Sequence, residues 1–138
     1  MLVSFDSTGV VSLNILLVML GGGLGAAGRY LVSTLLVQKL GGGFAWGTAT
    51  VNVAGCFLIG LAAGWTERLL LPRGLWLFLV TGFLGGFTTF STFSLETVEA
   101  FRVGASGKAF LNMGVNLAGS IFATVFGLFL ALSSRHQQ

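Results

Sequence analysis

The chain is 138 residues long, 54% hydrophobic and only 8% charged, with a mean hydropathy of +0.93. Soluble domains carry about 25% charged residues, so this composition excludes an ordinary water-soluble fold and points to the bilayer. A net charge of +3 without a basic cluster interleaved with aromatics excludes a nucleic-acid surface, and one cysteine excludes an internal disulfide.

A spanning helix needs about 20 mostly apolar residues. Four stretches qualify, near 11–37, 46–67, 75–100 and 108–132, with short separators, so residues 1–138 read as a single four-helix transmembrane domain. The first stretch lacks a basic leading region and exceeds the 7–15 apolar residues of a secretory signal, so it reads as a span. It carries Gly21 and Gly25 one turn apart, then Gly28 and Arg29. The glycine run resembles a phosphate loop, but no Lys-Ser/Thr follows it and no strand precedes it.

Trp46 and Trp65 bracket the second stretch, and 19 residues of helix rise about 28 Å, close to the hydrocarbon thickness. Within it Thr48, Asn52 and Cys56 recur at i, i+4 and i+8, on one face. Cys56 reads as a small packing residue. Gly60 and Gly64 form a GxxxG pair suited to close helix approach.

The third stretch follows Pro72 and opens near Trp76; its middle is GFLGGFTTFSTF, residues 82–93. Three glycines, each worth roughly 1 kcal/mol less than alanine in a helix, predict a break at Gly85 and Gly86, mid-membrane. Broken backbone is tolerated there only if protein, water or a ligand satisfies it. Freed carbonyls at such a break suit a small hard cation such as Na⁺. Phe90 and Phe93 follow at i and i+3. They are either packing residues or ring edges turned towards an anion, since aromatic edges are electropositive.

In the fourth stretch Asn112, Asn116, Ser120 and Thr124 repeat the i, i+4 spacing. Two polar stripes act either as interhelical glue or as a wet pathway, and membrane hydrogen bonds average only about 0.6 kcal/mol. No Asp, Glu, His or Lys occupies the centre of a span; Arg29 and Glu96 lie within reach of an interface. Proton relays use intramembrane acids and cation pores use acidic rings, whereas neutral amides and hydroxyls suit a small anion moving passively. His136, in a polar tail, suggests no metal site.

With four spans both termini lie on one side, with the loop joining spans two and three. Arg68, Arg73 and Arg135 then face Lys39, Arg102 and Lys108, three against three. No positive-inside bias results, which predicts insertion in both orientations and an antiparallel homodimer.

The segments GGGLGAAGRY, GTATVNVAGCFLIG and GFLGGFTTFSTFSLE, in this order, closely resemble the CrcB/Fluc family of fluoride ion channels, from about Gly21 to the end of the fourth span. The resemblance implies an all-α, dual-topology antiparallel homodimer in the cytoplasmic (inner) membrane of a prokaryote. It implies two fluoride pores, a central structural Na⁺ and no chemical catalysis. By position, Gly85 and Thr88 match the residues whose carbonyls hold the Na⁺. Phe90 and Phe93 match the pore phenylalanines, Asn52 the asparagine facing them, and Ser120, Thr124 and Thr48 hydroxyls along the path. Thr92 and Glu96 match polar groups beside it, Arg29 matches a first-helix arginine, and Asn116 stands where relatives have Tyr or His. Two other classes stand beside this reading: a proton-coupled small-molecule or fluoride exporter of four-helix dual-topology type, and a non-transporting assembly subunit.

Overall fold

A computed structural model describes the backbone of residues 7–69 and 71–133. Arg135, His136 and the side chain of Arg68 lie outside that description. Helix α1 (Ser7–Leu40) ends at Gly41, whose φ of 77° is open to glycine and whose N–H caps the Val37 carbonyl at 2.9 Å. Helix α2 is Trp46–Leu69. Pro72 then starts α3 (73–87), where its missing N–H costs nothing. Within α3, Arg73–Trp76 leads into a π-helical Leu77–Leu84 and then Gly85–Phe87. Helix α4 is Phe90–Arg102, and α5 (106–133) contains a second π-helical piece, Val115–Gly119.

Four apolar helical stretches are long enough to cross a membrane: Gly9–Leu40, Trp46–Trp65, Arg73–Arg102 and Ser106–Ser133. The boundaries expected from sequence agree with them to within a few residues. The burial pattern is inverted relative to a soluble fold. Thr48, Asn52, Thr97, Asn112, Asn116 and Ser120 are buried, while Leu16, Leu24, Leu35, Ile121, Phe122 and Phe129 are exposed. Apolar side chains outside and hydrogen-bonded polar ones inside is the arrangement that hydrocarbon solvent favours.

Glycine decides how the helices pair. Helix α2 lies along α5, where a Cβ at Gly60 would stand 2.2 Å from the Thr124 carbonyl oxygen and one at Gly127 would stand 2.3 Å from that of Phe57. Helix α1 lies along α3 in the same manner: a Cβ at Gly25 would stand 2.1 Å from the Phe83 oxygen, and one at Gly86 2.4 Å from that of Gly22. Backbones approach this closely only where side chains are absent.

The interruption of the third stretch therefore lies elsewhere than the glycines. Gly85–Phe87 is helical, and the extended residues are Thr88 (φ −82°, ψ 157°) and Thr89 (φ −152°, ψ 115°). At Gly86 weak intrinsic propensity is overridden by packing, since Gly86 faces α1, and the exposed Gly85 stays helical beside it.

Candidate functional site

The break at Thr88–Thr89 is held from outside its own helix. Asn52 on α2 receives the Thr89 N–H on Oδ1 at 2.7 Å and returns an amide hydrogen to the Thr89 carbonyl at 3.0 Å. The Thr89 hydroxyl caps α4 by accepting the Thr92 N–H at 3.3 Å, and it donates to Thr92 Oγ1 at 3.0 Å. These side chains take donors that a continuous helix would have supplied to carbonyls four residues earlier. Thr89 N–H would have met Gly85, and Thr92 N–H would have met Thr88. Arg29 covers the next carbonyl in line, its Nε donating to Gly86 O at 3.1 Å, a cation at the negative end of α3. Arg29 thus sits at the break.

The carbonyls of Gly85 and Thr88 are thereby left with lone pairs that their own helix does not satisfy, which fits the expected cation ligands. Both residues line a groove of about 280 Å³ with Thr81 and Cys56. Among the described residues no cluster of His, Cys, Asp or Glu is able to hold a metal, so a cation here would be held by backbone oxygen.

From Asn52 a line of amides runs through α5. Asn52 Nδ2 donates to Asn116 Oδ1 at 2.7 Å, and Asn116 Nδ2 donates to Asn112 Oδ1 at 2.9 Å and to the Asn112 carbonyl at 3.0 Å. Asn112 Nδ2 donates to Thr97 Oγ1 at 2.9 Å and more weakly to Phe93 O at 3.4 Å, and Thr97 Oγ1 donates to Phe93 O at 2.8 Å. All three asparagines are buried. Alternation at i, i+4 along α5 aligns Asn112 and Asn116 on the face that meets α2 and α4.

Beside this line is a chamber of about 180 Å³ lined by Asn52, Cys56, Thr88, Thr89, Phe90, Phe93, Asn116 and Ser120. The Phe90 and Phe93 rings meet edge to face, centroids 5.3 Å apart at 64°. They differ in setting: Phe93 is 6% exposed and Phe90 71%, so Phe90 forms an open wall. The Ser120 hydroxyl is buried without a hydrogen-bond partner, which leaves its proton free for a guest. Thr124 Oγ1, one turn on, donates to the Ser120 carbonyl at 3.1 Å.

A wider mouth of about 380 Å³ meets the amide line at Asn112 and is lined among others by Ser33, Thr48, Glu96, Glu99 and Lys108. Thr48 Oγ1 donates to Glu96 Oε1 at 2.8 Å, while Glu96 Oε2 is buried without a partner. Every residue expected from sequence thus falls at the break, the chamber, the mouth or the α5 stripe. Three participants were not singled out as site residues: Thr89, Thr97 and Asn112. Asn112 belongs to the polar stripe of α5, but Thr97 has no sequence signal beyond lying one turn after Phe93.

The profile of the family described as CrcB-like protein, Camphor Resistance (CrcB), matches residues 16–128. A fluoride-specific ion channel FluC of Agrobacterium fabrum is 46% identical over 119 residues, 86% of this chain and 95% of the relative. One of Solibacter usitatus is 44% identical over 117 residues, 84% and 96% of the two chains. A third, of Hydrogenobaculum sp., is 46% identical over 120 residues, 86% and 97% of the two. The chain is accordingly a multi-pass membrane protein that belongs to the CrcB-like family.

Proposed function

We propose that this protein is a fluoride-selective channel that lets the anion leave the cell passively across the cytoplasmic membrane of a prokaryote. Two antiparallel copies would carry two pores and share one structural Na⁺. The chamber carries this reading. It offers one unpartnered buried hydroxyl, Ser120, and the rings of Phe90 and Phe93, with Asn52 and Asn116 beside them holding amide hydrogens that an anion would have to draw from protein oxygens, in a place too small for a large solute. The relatives' names give the anion, and the chemistry agrees with it. Fluoride is small and strongly hydrated, so entry requires donors that replace its water. Thr48 at the mouth and Thr124 beyond Ser120 continue the line of hydroxyls, and Thr92 and Glu96 border it.

Several observations support the dimer. The charge tie between the two sides leaves neither orientation preferred. Phe90 is largely uncovered in one chain, as is Gly85, and a second copy seated there would close the chamber wall and the groove at the break. One chain supplies two carbonyls to a cation, those of Gly85 and Thr88. A two-fold axis at the break would double that number and place the interruption of Arg73–Arg102 mid-membrane. When bound, Na⁺ supplies positive potential beside the anion path.

The test is release of fluoride from liposomes holding the purified protein, followed with a fluoride electrode. Fluoride should leave far faster than chloride; equal rates would remove selectivity from the account. A second reading, proton-coupled export, is favoured by one feature, the partnerless Glu96 Oε2 at the mouth. Fluoride flux that moves protons in fixed ratio would decide for it.

A further inference from the structure

The three asparagines are strung between two backbone groups that leave no choice of direction. The Thr89 N–H at one end can only donate, and it fixes the Asn52 oxygen towards itself. The Phe93 carbonyl at the other end can only accept, and with Thr97 it fixes the Asn112 nitrogen. Asn116, between them, must show its oxygen to Asn52 and its nitrogen to Asn112. In this arrangement both nitrogens that border the chamber, those of Asn52 and Asn116, give their hydrogens to protein oxygens. The donors nearest the ring edges are therefore already spent.

We infer that Asn112, anchored by Thr97 and the Phe93 carbonyl, is a positioning residue that holds the Asn116 amide turned away from the chamber and so sets how much fluoride is needed to turn it. The inference rests on the fluoride reading above. Turning Asn116 brings its nitrogen to face that of Asn52. Two donors then converge with no acceptor between them, and an anion supplies that acceptor. The same turn sets the Asn116 oxygen against Asn112 Oδ1 and leaves the Asn112 carbonyl without its side-chain donor, so the resistance comes from Asn112. The place suits such a control. Asn112 lines the mouth and Asn116 the chamber, so the hydrogen-bonded pair links the two.

The measurement is a fluoride titration of the Asn52 side-chain amide signal in ¹⁵N-asparagine-labelled protein in micelles, with chloride as control. Asn112→Ala should lower the half-saturating fluoride concentration about three- to tenfold, the range expected for loss of one hydrogen bond that favours the empty state. Thr97→Val, isosteric and lacking the acceptor that pins Asn112, should lower it about twofold, and it carries the test if Asn112→Ala does not fold. A merely structural role predicts weaker binding on damage, never tighter. In an Asn116→Leu background Asn112→Ala should add nothing. An unchanged or raised fluoride requirement in Asn112→Ala or, where that does not fold, in Thr97→Val, or an effect that persists without Asn116, overturns the inference. Those results leave the channel reading standing if the parent chain releases fluoride from liposomes. A parent chain that releases none overturns both.

Discussion

Two seams hold this molecule together by opposite means. Between α1 and α3 the contact at Gly21, Gly25, Gly82 and Gly86 is backbone on backbone, and the Arg29 side chain closes it at the break. Between α2, α4 and α5, on the site side, the contact runs through the side chains of Asn52, Asn112, Asn116 and Thr97. The first seam is rigid where its glycines meet, because the backbone atoms in contact there have no rotamer to change. The second is buried yet made of groups that can exchange one partner for another, which is what passage of an ion asks. A membrane protein this small places its shape in one seam and its chemistry in the other.

The contrast predicts different failures. Gly25→Ala should have the largest effect, because its Cβ would fall 2.1 Å from a carbonyl oxygen that cannot rotate away. A loss of at least about 3 kcal/mol is expected, seen as little or no monodisperse protein in detergent. Normal yield and melting temperature would show that α1 slides easily and that the seam is not rigid. On the other seam, Phe93→Ile should leave the protein folded and abolish or sharply slow fluoride release from liposomes. Unchanged release would remove the ring edges from the path.

Ser120→Ala comes next and separates stability from function most directly. The hydroxyl has no partner in the empty chain, so removing it should leave thermal stability equal or raise it by about 1 kcal/mol. Fluoride release should nevertheless fall about tenfold, since one donor for the guest is gone. A parallel loss of stability and flux would mean that Ser120 has a structural partner instead.

How much of this was readable in the sequence follows the same division. The four spans were, because apolar length is a local property that the bilayer enforces. The polar faces of α2 and α5 were too, because an i, i+4 spacing survives folding unchanged. The place of the break was not. Glycine propensity pointed to Gly85 and Gly86, but those residues stay helical, and the chain opens at Thr88–Thr89. Asn52, 37 residues away, takes both backbone polar groups of Thr89, a tertiary event with no local signature. Thr97 was missed for the same reason, its role being defined by Asn112 across the helix gap. The bond from Arg29 to the Gly86 carbonyl, 57 residues away, likewise has no local signature.

The smallest expected effect tests what lies outside the glycine seam. Gly23 is a neighbour of Gly22 and Gly21 in the same run, yet it is exposed and a Cβ there meets nothing within 4 Å. In one chain standing alone in lipid, Gly23→Ala should therefore be harmless, with up to about 1 kcal/mol gained from helix propensity. Gly23→Leu should be tolerated equally, since the side chain would join the exposed Leu20, Leu24 and Leu31 on that helix. If instead both substitutions reduce fluoride release while the single chain still folds, the face is covered by a second copy. That outcome would extend the proposed dimer contact from the break at Thr88–Thr89 to the outer side of α1. A neutral result for both would leave α1 as the lipid-facing wall, and the glycine seam would be a contact internal to one chain.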